Sequence, residues 1–217
     1  MTRETQKEPR WPAFVALLAD GCLYLGLPAS LSLGPRWLLL AIVFALLVPI
    51  VVSHRRGHHR LNRVLTLVAN GIITIAMIAS LVFLIEGLPK HREASVSLML
   101  SAAGLWLTNI LVFALWYWRL DAGGPHGRES SGGNLKSAFL FPQMVRQDGG
   151  DLAGKEKQAP WSPQFLDYLF LAFNTSTAFS PTDTAVLSRG AKLGMMAQAL
   201  ISLSILALLA ARAVNIL

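Results

Sequence analysis

Long apolar stretches alternate with short polar segments along the first half of the chain, and they predict four membrane-spanning helices. The stretches cover residues 12–31, 37–52, 64–85 and 95–118. A helix rises about 1.5 Å per residue, so roughly 20 apolar residues cross the hydrocarbon core of a bilayer. The second stretch reaches that length only if it starts within residues 33–35. The pattern therefore predicts a four-helix transmembrane region over residues 1–118.

The last part of the chain, residues 161–217, has a different layout. A short apolar segment runs into a hydroxyl-rich turn, and a second long apolar stretch follows from residue 185. Irregular backbone at membrane depth is tolerated only where it is buried in protein or lines a wet cavity. This layout predicts a pore helix and a re-entrant loop before the last helix. The candidate site is the turn, formed by Asn174, Thr175, Ser176, Thr177, Ala178, Phe179, Ser180, Pro181, Thr182 and Asp183.

Between these regions, residues 119–160 are rich in glycine, serine and charge, which is typical of a flexible linker. An apolar island at residues 137–145 interrupts the linker. The island is too short to cross a membrane. It is either a strand or interfacial segment that docks on the helices, or a regulatory plug over a pore mouth.

Composition supports a membrane location and gives no sign of catalysis. Charged residues make up 14% of the chain, against roughly 25% in soluble domains, so the class is an all-α integral membrane protein. The single cysteine, Cys22, excludes a disulfide framework. No nucleophile elbow, P-loop, dinucleotide fingerprint or zinc motif is present. We therefore expect no enzyme activity, no cofactor, no metal site and no nucleic-acid partner.

The placement of basic residues predicts an orientation. The loop between the second and third stretches contains Arg55, Arg56, Arg60 and Arg63 and no acid, so it should face the cytoplasm and contact anionic lipid headgroups. The N-terminus and residues 119–160 are also basic and fall on the same side. A re-entrant loop would then enter from the cytoplasm. Otherwise, residues 161–179 cross completely, or the basic loop is external. We expect five or six transmembrane helices and favour six, the fifth short or half-crossing.

Four isolated polar residues lie within the predicted helices. Asp20 is either an ion or proton site, a partner of Arg212, or an acid kept neutral or hydrogen-bonded inside the bundle. Asn70 and Asn109 are expected to form hydrogen bonds between helices. Arg212 is expected at the membrane interface, where a long side chain can reach the headgroups.

Residues 173–183 resemble the pore region of potassium channels, whose pattern is F-T-T-x-T-T-V-G-Y-G-D. Here the segment is F-N-T-S-T-A-F-S-P-T-D, and the helices on both sides resemble a pore helix and an inner helix. The resemblance covers about 50 residues. It implies a homo-oligomer, a tetramer if it is a channel, that takes a monovalent cation. Both filter glycines are missing, and Pro181 fixes its φ, so a standard potassium filter is not expected.

Most of the chain also resembles an uncharacterised bacterial family of small multi-span membrane proteins. The segments that carry this resemblance are residues 113–118, 139–144, 178–184 and 210–217. The resemblance implies the bacterial inner membrane and no known activity. The leading expectation is a cation channel, or a channel relative, with a filter of Ser, Thr and Asp. The alternatives are a non-conducting scaffold or accessory subunit with a pore-loop fold, and a small transporter that uses Asp20 and residues 174–177.

Overall fold

The computed structural model describes residues 8–87, 95–131, 137–148, 161–177 and 183–214, and it is mostly helical. The helices are α1 Trp11–Leu25, α2 Arg36–Arg55, α3 His59–Gly87, α4 Ser95–Leu120, α5 Gly124–Ser131, α6 Pro142–Asp148, α7 Phe165–Thr177 and α8 Arg189–Val214. Short 3-10 turns occupy Ala29–Leu31 and Asp121–Gly123, and two strands are β1 Phe139–Leu140 and β2 Ala185–Val186.

Within this described part, four helices are long and apolar enough to cross a membrane: α2, α3, the continuous segment Val96–Glu129, and α8. The structure is therefore compatible with the predicted all-α membrane protein. Helix α1 has only 15 residues, which is shorter than the predicted stretch 12–31. It ends early because Pro28 cannot continue the helix, and a 3-10 turn follows.

Helix α4 is the centre of the bundle. It packs against α1, α3, α7 and α8, and its middle residues Val112 and Ala114 are completely buried. Helix α8 is the least buried of the long helices. An apolar helix surface that no protein covers is expected to face lipid in a membrane protein.

The start of the predicted flexible linker, residues 119–131, is helical in the structure. Helix α4 continues to Leu120, and a turn with positive φ at Gly123 and Gly124 leads into α5. A Cβ atom at Gly124 would lie 2.9 Å from the carbonyl oxygen of Arg119, so this turn requires glycine. The side chain of Arg128 holds α5 in place by donating to the carbonyls of Trp118 and Asp121.

The apolar island contains β1, which pairs in an antiparallel manner with β2. Phe139 is opposite Val186, and Leu140 is opposite Ala185. The Phe139 side chain is buried, and the backbone N–H of Leu187 donates to the carbonyl of Ala138 at 2.8 Å. The structure therefore contains the docked strand that was one of the two alternatives for this segment.

Helices α7 and α8 both begin at the end of the bundle where α4 ends. Near the start of α7, the Tyr168 hydroxyl contacts Asp121. Early in α8, Gly194 faces the ring of Tyr117, whereas Ser202, two turns further on, contacts Asn109. Helices α7 and α8 therefore run in the same direction, antiparallel to α4. Within the described residues 161–177, α7 reaches only partway along α4, since Phe173 near its end contacts Trp106 in the middle of α4.

Candidate functional site

The side chain of Gln198 joins three helices in the middle of the bundle, and it is completely buried. Its Nε2 group donates to the carbonyl of Ala172 at 2.7 Å and to the hydroxyl of Ser176 at 2.8 Å, both on α7. Its Oε1 atom accepts from the Tyr117 hydroxyl of α4 at 2.6 Å. Both amide protons and the amide oxygen of this α8 residue are therefore engaged.

The two amides predicted within the spans both connect α4 to a neighbouring helix. Asn109 donates to the Ser202 hydroxyl at 2.8 Å and to the Gln198 carbonyl at 3.3 Å. Asn70 of α3 donates to the Val112 carbonyl at 3.4 Å. We call the buried side chains of Tyr117, Asn109, Ser176, Gln198 and Ser202 the central network. The spacing of Gln198 and Ser202 on an apolar helix could have identified their shared face, since residues four apart are neighbours.

The described half of the predicted polar turn is the last turn of α7. Thr175 donates to the carbonyl of Leu171 at 2.8 Å, and Thr177 donates to the carbonyl of Phe173 at 3.1 Å. Ser176 is buried and belongs to the central network. These hydroxyls therefore bond within the protein, in an ordinary helical conformation. Asn174, in the same turn, is partly buried.

The other half of the turn is described at one position only. Asp183 is exposed and lies just before β2. Ala178, Phe179, Ser180, Pro181 and Thr182 lie outside the described residues. A cation-binding role for this half stays a prediction.

Asp121 forms a second site, which the sequence placed in the linker. It is completely buried, and its carboxylate accepts from the Tyr168 hydroxyl at 2.5 Å, the Ser137 hydroxyl at 2.8 Å and the backbone N–H of Ala138 at 2.5 Å. The guanidinium of Arg128 lies over the Tyr168 ring, 5.2 Å from its centroid. One carboxylate therefore fixes the end of α4, the start of β1 and the first turn of α7.

Two ion pairs attach the N-terminal segment to α5. Glu8 pairs with Arg128 at 2.9 Å, and Arg10 pairs with Glu129 at 3.0 Å. Glu8 also accepts a hydrogen bond from the indole N–H of Trp118. Burial raises the pKa of the Glu8 carboxyl above its ordinary value, and the nearby Arg128 charge opposes this shift.

The basic loop lies at the same end of the bundle. Arg55, Arg56, Arg60 and Arg63 are all exposed, so lipid headgroups could reach them. The rings of His59 and His126 stack with centroids 3.6 Å apart, which joins α3 to α5. No group of three His, Cys, Asp or Glu side chains that could hold a metal ion occurs in the described ranges.

Asp20 is completely buried in α1, and neither carboxylate oxygen has a hydrogen-bond partner among the described residues. Helix α2 packs closely beside it, since a Cβ atom at Gly21 would lie 2.8 Å from Leu40 Cδ1. The side chain of Arg212, its predicted alternative partner, lies outside the described part. An ion or proton site at Asp20 stays a prediction.

Comparisons with known proteins give no match: no family model, no curated protein and no solved structure matches this chain. The resemblances to potassium channels and to a bacterial membrane-protein family therefore rest on the quoted sequence segments alone. Function has to be argued from the contacts.

Proposed function

We propose that this is a channel-related protein of the bacterial inner membrane whose re-entrant hairpin is a packing element and does not conduct ions. The proposed hairpin covers residues 165–186, of which α7 and β2 are the described elements. Helix α7 has 13 residues and is about 20 Å long, whereas the hydrocarbon core is about 30 Å thick. Since α8 starts again at the end where α7 began, a segment that enters and leaves at one side fits best.

The side the hairpin enters from also differs from that in potassium channels. The end at which α7 begins is the basic end, where Arg55, Arg56 and Arg10 lie. Cytoplasmic loops carry an excess of Arg and Lys, so the hairpin would enter from the cytoplasm. In the potassium channels that residues 173–183 resemble, the pore loop enters from outside. The resemblance in layout therefore does not extend to orientation.

The observation that carries the proposal is the pair of hydrogen bonds from Gln198 to Ala172 and Ser176. A selectivity filter presents its oxygen atoms to the ion in place of water. In this protein the described hydroxyls of the turn are bonded to the same chain, and α7 is fastened to α8 by a buried amide. Such a hairpin stabilises the position of α8 and provides a surface for a neighbouring membrane protein.

Ion flux measured with the purified full-length chain in liposomes tests this proposal. We expect potassium and sodium flux equal to that of protein-free liposomes, and an ionophore added at the end confirms that the gradients were intact. Protein-dependent cation flux that falls in the Asp183→Asn variant would refute the non-conducting function. Ser204→Ala, an exposed change on α8, is the matched control for reconstitution.

Cation conduction by a homo-tetramer is the second candidate, and two observations favour it. Asp183 is an exposed residue of the hairpin, where a ring of carboxylates would attract cations. Helix α8 also exposes a long apolar face that includes Leu193, Leu200 and Leu203. Native mass spectrometry in lipid nanodiscs separates the two candidates, since a tetramer together with flux supports conduction and a monomer excludes a shared axis.

A further inference from the structure

A small cavity lies between α1, α2, α3 and α4 at the basic end, apart from the central network. Its polar lining is formed by Arg10, His54, Asn62, Thr66 and Arg119, and apolar side chains of the same helices complete its walls. The cavity has room for about one particle the size of a water molecule.

Arg119 is the unusual residue of this cavity, because it is a buried cation without a carboxylate partner. Its side chain is 7% exposed. Its Nη2 atom donates to Asn62 Oδ1 at 2.9 Å, but its buried Nε–H group has no acceptor among the described residues. No carboxylate lies within ion-pair distance of it in the same part of the chain.

The charged residues around Arg119 are also positive, so they add to the positive charge at this place. The charged groups that act on it most strongly are three more arginines, Arg10, Arg63 and Arg128. Arg10 and Arg128 each have a glutamate partner, so those pairs are close to neutral as units. Among the residues that the structure describes, no carboxylate compensates the buried charge of Arg119. Buried charges in proteins are normally paired or bind an ion.

We propose that this cavity binds a small monovalent inorganic anion, of which chloride is the test case. The unpartnered Nε–H group of Arg119 supplies a charged donor, whereas the guanidinium of Arg10 already contacts Glu129 and His54. Both a chloride ion and a phosphate group are larger than one water molecule, and chloride, the smaller of the two, requires the smaller shift of the cavity walls, which favours a halide over a lipid headgroup. The exposed arginines Arg55 and Arg56 form no part of the cavity lining.

Thermal unfolding of the full-length protein in phosphatidylcholine nanodiscs provides the test. Sodium chloride is compared with sodium gluconate at equal ionic strength, so that only a specific anion effect remains. We expect chloride to raise the Tm saturably, by about 3–5 °C at ten times its dissociation constant. Bromide should replace chloride.

Two variants assign the effect to the cavity. Arg119→Gln should lose the chloride response, whereas Arg55→Gln, which removes an exposed charge at the same end, should keep it. If Arg119→Gln does not fold, line broadening of the chloride-35 NMR signal by the wild-type protein, reversed by bromide, replaces the variant. Equal Tm values in chloride and gluconate would overturn the proposal.

The lipid composition of the nanodisc separates the two sources of negative charge. Phosphatidylglycerol added to the disc should leave the chloride response in place. If the chloride response disappears and phosphatidylglycerol instead stabilises the protein in a way that requires Arg119, the ligand is a lipid phosphate. That result would overturn the proposal of an inorganic anion. Neither outcome depends on whether the protein conducts cations, because binding is measured without flux.

Discussion

At the scale of single residues, Gln198 is the side chain on which the most interhelical hydrogen bonds depend. Gln198→Leu keeps a similar volume but leaves the buried Tyr117 hydroxyl without its acceptor and the Ser176 hydroxyl without its donor. We expect the free energy of unfolding to fall by about 1–3 kcal/mol. A buried polar group without a hydrogen-bond partner costs about that much, and a hydrogen bond between membrane helices contributes about 0.6 kcal/mol on average. Thermal unfolding in detergent measures the loss, with Ser204→Ala as the near-neutral control. An unchanged Tm would show that the central network is dispensable.

Glu8 gives a prediction about pH at the same scale. Burial raises the pKa of its carboxyl above the ordinary 4.5, so the folded state binds this proton more readily than the unfolded state. The resulting stabilisation is complete below about pH 4.5 and is lost as the pH rises through the raised pKa. We expect the Tm of the wild type relative to Glu8→Gln to decrease as the pH rises above 4.5 and through the raised pKa of Glu8. The exposed-site variant Glu86→Gln corrects for other groups, and a difference that increases with pH would contradict the prediction.

At the scale of elements, the attachment of β1 depends on Asp121. Asp121→Asn replaces one acceptor oxygen with a donor that faces the donors of Tyr168, Ser137 or Ala138. We expect faster hydrogen exchange across residues 137–145 and 185–187, measured by mass spectrometry in detergent, because the pairing of β1 with β2 loses its anchor. Asp167→Asn, at the start of α7, is the control. Unchanged exchange in the Asp121 variant would mean that strand pairing and the burial of Phe139 hold the segment on their own.

Some helices could be predicted from the sequence and others could not. Helices α2, α3, α4 and α8 follow from apolar length alone, because a membrane-length helix needs nothing from its neighbours to be recognised. Helix α5 could not be predicted, because its glycine-rich and charged composition is typical of a linker. Its order comes from the pairs of Arg128 with Glu8 and of Glu129 with Arg10, residues about 120 positions away. Contacts at that separation leave no local pattern.

The candidate sites divide in the same way. Asn70 and Asn109 were identified because single amides in apolar stretches are conspicuous, and their partners lie on α4 and α8. Asp121 was missed because a carboxylate among glycines looks solvent-exposed until its donors are known. The sequence identifies residues 174–177 as polar. It does not show that their hydroxyls form hydrogen bonds within α7 or to α8, because those partners depend on how α7 packs against α8.

At the scale of the whole molecule, the directions of α7 and α8 predict which residues share a side of the membrane. Single cysteines at Gln164, Asp183 and Arg55, in a Cys22→Ser background, should react with an impermeant maleimide from the same side. A cysteine at Glu86 should react only from the other side, since it lies near the opposite end of α3. Intact cells and inside-out vesicles give the two measurements. Labelling of Gln164 and Asp183 from opposite sides would contradict a re-entrant hairpin.

The pairing of Glu8 and Arg10 with α5 has a consequence for how the chain matures during synthesis. The ribosome makes the N-terminal segment first, yet its partners emerge about 120 residues later, after three long helices have left the exit tunnel. Until then neither side chain can form its ion pair, although Arg10 can already contact His54 of α2. The two ion pairs that join the N-terminal segment to α5 can therefore form only after α5 has been synthesised, whereas α7 and α8 follow later in the chain.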